Sequence, residues 1–124
     1  MADEILVVDD DTTIRQLLRH CLEGAGFDIH TCEDGQVAVD LLKGDYEPDA
    51  LVVDVMMPRL DGTRLVRMLR DEELNVRSDL PVVMLTSRGR EEHVLEGFET
   101  GVDDYVSKPF RSAELLARIR KQLQ

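Results

Sequence analysis

Asp9, Asp10 and Asp11 stand together directly after the apolar run ILVV (5–8), and Asp54 closes a second run, ALVV (50–53). Like charges at the end of a buried strand cost energy unless something neutralises them. Two further groups fall at equivalent places: Thr86 and Ser87 end the run PVVMLTS, and Lys108 follows DYVS just before Pro109. If these runs are neighbouring strands, three carboxylates (Asp9, Asp10 and Asp54), a hydroxyl and an ammonium converge on one edge. A divalent cation resolves the repulsion. Hard oxygen ligands, few in number and supplemented by water, suit Mg²⁺, which prefers octahedral coordination at about 2.0–2.1 Å.

The elements that must position these groups alternate along the chain. Helical spacing of Ile14, Leu17, Leu18, Cys21 and Leu22 predicts a helix over 12–23, stopped by Gly24 and Gly26 before the strand FDIHTC. Asp34-Gly35 opens a helix through Val37, Ala38, Leu41 and Leu42, and Asp61-Gly62 precedes another with Leu65, Val66, Met68 and Leu69. Pro81 begins the fourth strand, since proline is tolerated at a strand's first residue. A helix over 90–100 places Val94, Leu95 and Phe98 inward and ends at Gly101; a last one carries Leu115, Leu116, Ile119 and Leu123. Repeated β-α units predict a parallel sheet covered by helices on both faces. Ligands of such sheets bind beyond the carboxyl ends of the strands, where the strand order reverses. The second strand ends in nothing comparable to the aspartates, which suits a strand away from that point.

Composition sets the frame. A chain of 124 residues fits one domain, here 1–124, with 43% hydrophobic and 33% charged residues. The net charge of −11 opposes direct binding to nucleic acid or an anionic membrane. The chain carries no apolar run of spanning length and no secretory leader, so a cytoplasmic protein is expected. Cys21 and Cys32 have neither disulfide-framework nor metal spacing and read as small core fillers.

Each chemical candidate also has a plainer use. Asp11 or Thr12 suits the N-cap of the first helix, Asp54 a turn, Thr86 a backbone-bonded hydroxyl and Lys108 a solvated surface. Their coincidence on one edge outweighs the separate plain readings.

Taken together, VVDD (7–10), VVDVMMPRLDG (52–62), MLTS (84–87) and DDYVSKPF (103–110) resemble the receiver domain of two-component response regulators, in order and across essentially the whole chain. The resemblance implies a (βα)5 doubly wound, flavodoxin-like or CheY-like domain with strand order 2-1-3-4-5. It implies that Asp54 is the phosphoryl acceptor and that Asp9, Asp10, Asp54 and the Met56 carbonyl hold Mg²⁺. Thr86 resembles the hydroxyl that bonds a phosphoryl oxygen, and Lys108 the lysine that pairs with the acceptor before a cis Lys-Pro bond. Tyr105 occupies the aromatic position whose ring turns inward when the threonine moves. The implied partners are a sensor histidine kinase or histidine phosphotransfer protein and a downstream output domain or target. The kinase is read mainly by the first helix and adjoining loops, where Thr13, Arg15 and Gln16 are exposed candidates beside the plainer reading of a solvated face.

Two departures from the family pattern stand out. Arg88, two past Thr86, places a long cation near the site mouth, expected to shield or orient the phosphoryl group and alter its lifetime. Winged-helix regulators of this family form phosphorylation-dependent homodimers through the face made by the fourth helix, fifth strand and fifth helix. Asp104 and Arg118 match one of their charge pairs and Glu114 half of another, but Val94 stands where the basic partner of Glu114 belongs. A rival reading takes Asp9-Asp10-Asp11-Thr12-Thr13 as the D-x-D-x-T pattern of haloacid-dehalogenase-like Mg²⁺ phosphatases, with Asp9 and Asp11 as the working pair. Against it, Lys108 follows Asp103-Asp104 where that family's lysine precedes its acidic pair, and Asp54 would have no role. A metal-free flavodoxin-like binding module lacks the Ser/Thr/Gly-rich phosphate loop after the first strand and leaves the acidic cluster unexplained.

Overall fold

A computed structural model describes residues 2–57, 59–87 and 101–124. Among these, strands β1 (Glu4–Val8), β2 (Asp28–Cys32), β3 (Ala50–Asp54), β4 (Val82–Ser87) and β5 (Asp104–Lys108) form a sheet in the order β2-β1-β3-β4-β5. Every pairing is parallel. Helices α1 (Thr12–Gly24), α2 (Gly35–Leu42), α3 (Gly62–Arg70) and α4 (Ser112–Leu123) cover both faces. The helix expected over 90–100, with Arg88 and Val94, lies outside the described residues.

Alternation along each strand sorts the core into two layers. Leu6, Val8, Leu51, Val53, Val82 and Met84 point to the face packed by α2 and α3. Ile5, Val7, Ala50, Val52, Val83 and Leu85 point to the face packed by α1 and α4. β1 and β3 are buried on both sides, so their sequences are continuous apolar runs. The edge strand β2 alternates exposed and half-buried positions and reads DIHTC. Each fully buried aliphatic side chain contributes about 1.5–3 kcal/mol relative to exposure.

Three helices begin on an aspartate cap. Asp11 accepts from the Thr13 and Ile14 N–H groups, Asp34 from Val37 N–H and Asp61 from Arg64 N–H. Such caps satisfy amide donors that the helix itself leaves unpaired. α4 has no side-chain cap at Arg111 and instead carries Glu114 in its first turn and Arg120 and Lys121 in its last, complementing the helix dipole. Pro81 stands one residue before β4, and its carbonyl accepts from Leu51 N–H at 2.9 Å.

Candidate functional site

The order β2-β1-β3 places the ends of β1 and β3 side by side, which brings the first aspartates to Asp54 across 45 residues of sequence. Ligand oxygens of Asp9, Asp10 and Asp54 all lie within 4.8 Å of one another. Asp9 is fully buried and Asp54 nearly so, while Asp10 is exposed. Asp11 stays out of the cluster because its carboxylate caps α1, which removes the second aspartate that the phosphatase reading requires.

Lys108 enters from the end of β5. Its Nζ stands 2.9 Å from Asp9 Oδ2 and 3.3 Å from Asp54 Oδ1. The peptide bond to Pro109 is cis, as the resemblance implied. Among the described residues, one ammonium thus pairs with two of the three clustered carboxylates. Burial and the neighbouring Asp9 charge push the Asp54 carboxyl up to about 6, against the pull of Lys108. Burial opposes the Lys108 charge, but the Asp9 and Asp54 carboxylates outweigh it and hold the ammonium above its ordinary range.

Asp9 is fixed on every side but one. Its N–H donates to Cys32 O at 3.2 Å, its Oδ1 accepts from Asp11 N–H at 2.9 Å, and its carbonyl accepts from Arg15 Nη1 at 2.7 Å. Its Oδ2 is buried, within ion-pairing distance of Lys108 yet without an aligned hydrogen bond. An all-oxygen donor set with a buried, underused carboxylate oxygen fits a hard divalent cation. The Met56 carbonyl, the further ligand named from the sequence, belongs to the loop that follows β3, and the Met56 side chain is exposed.

Thr86 is buried at the end of β4, the strand paired to β3, where Asp54 sits opposite Leu85. In β5, Tyr105 is paired with Met84 and Ser107 with Thr86. Alternation therefore projects Thr86 and Tyr105 to the same face, where the half-buried Tyr105 ring packs on the α2/α3 core. Asp104 and Arg118 pair within the chain, with Arg118 Nη1 at 2.8 and 3.0 Å from the Asp104 oxygens and Nε at 3.3 Å from Glu114.

Several contributors escaped the sequence reading. Arg15, expected to be exposed on a solvated helix face or in a partner contact, is half-buried and bonded to the Asp9 carbonyl and, at 3.1 Å, to Thr12 Oγ1. Gly62 backs onto Asp54: a Cβ there would collide with the Asp54 carbonyl oxygen. The loop after β2 supplies no carboxylate to the cluster, but its Asp34 forms an ion pair with Arg59 of the loop after β3. Cys32 is buried, its thiol pushed up to about 11 by burial and then by the charges of Asp34 and Glu33, which disfavours the reactive thiolate.

Fold and site together define a doubly wound parallel α/β domain with an acidic cluster and a lysine at the carboxyl edge of its sheet. The family model for the response regulator receiver domain matches residues 5–120. The chain belongs to that family, whose members work as signalling switches in two-component systems. It is 45% identical over 124 residues to the response regulator MprA of Mycolicibacterium vanbaalenii, covering 100% of this chain and 52% of that protein. The chain thus spans about half the length of the MprA proteins it matches. Among solved structures, the receiver domain of Francisella response regulator 1452 superimposes with a TM-score of 0.86 at 35% identity, covering 98% of this chain and 96% of that one. The receiver domain of the Pseudomonas aeruginosa sensor histidine kinase PA1611, described with a magnesium ion coordinated in its active site cleft, gives a TM-score of 0.87 at 27% identity over 99% and 98% of the two chains. No helix among the described residues is long and apolar enough to cross a membrane.

Proposed function

We propose that residues 1–124 form one receiver domain in which Asp54 accepts a phosphoryl group from the phosphohistidine of a sensor kinase or phosphotransfer protein. Asp9, Asp10, Asp54 and the Met56 carbonyl hold Mg²⁺ in this reading. The observation that carries it is the shared Lys108 ammonium, within 3.3 Å of both the buried Asp9 and the Asp54 carboxylates. An Asp54 oxygen attacks phosphorus; the O–P bond forms as the P–N bond breaks, and the departing imidazole nitrogen keeps the electron pair and takes up a proton. Water later attacks the phosphorus, returning the carboxylate and inorganic phosphate, so the domain relays a signal and turns over no external substrate. Lys108 balances the charge of the transferring group from the β5 side. Bound Mg²⁺ supplies charge neutralisation and orientation of the phosphoryl oxygens.

Phosphorylation adds roughly −1.5 to −2 charges and new acceptor oxygens. The Thr86 hydroxyl satisfies one of them by moving toward it, and Tyr105 fills the space that it leaves. This repacks the face of β5 and α4 that an output domain or target reads. Arg88, which lies outside the described residues, is assigned the role of shielding or orienting the phosphoryl group. A homodimer through this face would exchange the internal Asp104–Arg118 pair for one between copies. The donor protein docks beside α1, where half-exposed Leu17 joins Ile14, His20 and Phe110 around an apolar groove of about 190 Å³. The relay operates in the cytoplasm without direct contact to nucleic acid or membrane.

Incubation with acetyl phosphate or phosphoramidate and Mg²⁺, followed by mapping of the phosphate, is expected to label Asp54. Asp54→Asn or removal of Mg²⁺ is expected to abolish the label. Label on Asp9 together with turnover of phosphate esters would overturn the assignment.

A further inference from the structure

The loop after β3 leads from Asp54 to α3 and is held at both ends. Val55 N–H donates to Leu85 O at 3.0 Å, and Gly62 N–H donates to Val55 O at 2.9 Å. Between these anchors Arg59 adopts φ +67°, a left-handed conformation that disfavours a residue with a long side chain. Something must hold it there. The Arg59 guanidinium pairs with Asp34, a residue that is 5% exposed and whose other carboxylate oxygen caps α2 through Val37 N–H at 3.0 Å. Beside this pair the Leu60 carbonyl presses so closely on Gly35 that a Cβ at residue 35 would collide with it.

Topology gives this contact its meaning. β2 and β3 flank β1 in the sheet, so the loops after them flank the end of β1, where Asp9 and Asp10 sit. The Asp34–Arg59 pair ties those loops together on the α2/α3 side.

We infer that Asp34 and Arg59 are positioning residues for the phosphoacceptor site, bracing the β3–α3 loop so that the Met56 carbonyl is presented to the cation shared by Asp9, Asp10 and Asp54. The inference rests on the reading of that cluster as a Mg²⁺ site. Neither residue touches the cation: Asp34 is occupied by the α2 cap and Arg59, and Arg59 carries the wrong charge. Side chains that fix a metal ligand without touching the metal typically change metal affinity by about 10–100-fold. The effect here belongs at the low end, about tenfold, because the Arg59 side chain is 62% exposed and its pair is screened by water.

The test is a ¹H–¹⁵N NMR titration of the whole chain with MgCl₂, following the Val55 and Met56 amides. Arg59→Gly removes the guanidinium while suiting the positive φ, so it separates the brace from backbone strain. Asp34→Asn removes the ion pair while keeping an N-cap of equal rank. Each is expected to raise the half-saturating Mg²⁺ concentration about tenfold, Arg59→Lys to recover part of the loss, and the double variant to match either single one. The same titration of Asp54→Asn and of the parent keeps the two readings apart: a parent that binds no Mg²⁺ sinks the site itself. A parent that binds, with both single variants within twofold of it, overturns the brace while leaving the site intact. Losses that add in the double variant overturn it too, because independent structural damage adds and a broken pair does not.

Discussion

Two cationic centres of this domain, around Arg70 and around Lys108, stand at opposite ends of the sheet and are built on opposite principles. At the amino-terminal edge, Arg70 at the end of α3 donates to Gly101 O at 2.9 Å, to Ser78 O and Leu80 O at 2.7 and 2.8 Å, and to Asp103 Oδ2 at 3.0 Å. Asp103 in turn accepts from Val82 N–H at 2.8 Å. One guanidinium thereby joins α3, the start of β4 and the turn before β5, with one acid for one base. At the carboxyl edge the cluster holds three carboxylates, and among the described residues one ammonium pairs with two of them, Asp9 holding a buried oxygen without an aligned hydrogen bond. A network that closes on itself stabilises the fold; one left short of positive charge waits for a ligand.

If the Arg70 centre is structural, breaking it must unfold the protein without touching the chemistry. Arg70→Ala is expected to lower unfolding free energy by about 2–4 kcal/mol, because it leaves partly buried carbonyls without their donor and the Asp103 carboxylate without its cation. At temperatures where the variant stays folded, its acetyl phosphate labelling should match the parent. A stability change below about 1 kcal/mol in urea titrations would show that Arg70 is no keystone. The Asp104–Arg118 pair supplies the small end of the comparison, since the Arg118 side chain is 41% exposed. Arg118→Ala should cost less than about 1 kcal/mol, and that cost should shrink in high salt. A larger loss would mean that the face of β5 and α4 is fixed more rigidly than a switch surface permits.

Most of this architecture was readable from the chain because side-chain pattern carries it. Continuous apolar runs announced β1 and β3, and the residue that follows each run announced the acidic edge and Lys108. Arg70 could not be found that way: its acceptors are mainly backbone carbonyls, which leave no mark in a sequence. Arg15 was misplaced for the same reason, since the Asp9 carbonyl that holds it is invisible to residue type. Asp34 was legible only as an opener of α2; its second partner lies 25 residues away, and only the sheet order brings the two loops together. The readings of Arg88, Val94 and the 90–100 helix concern residues outside those described.

The central claim is that the carboxyl edge is electrostatically incomplete without a cation, and Asp54→Asn tests it through stability. With its carboxyl pushed up to about 6 from an ordinary 3.8, Asp54 binds its proton more tightly folded than unfolded. The stability this contributes is full below about pH 4 and lost as pH rises through about 6. In metal-free solution at pH 7, Asp54→Asn should therefore be more stable than the parent by about 1–3 kcal/mol, an advantage that fades as pH falls from 6 toward 4. Saturating Mg²⁺ should stabilise the parent by about 1.4 kcal/mol at ten times its dissociation constant and the variant by much less, shrinking or reversing the order. Urea unfolding of both proteins, with chelator and with Mg²⁺, measures all of this at once. A variant no more stable than the parent without metal, or stabilised by Mg²⁺ as much as the parent, would contradict the account.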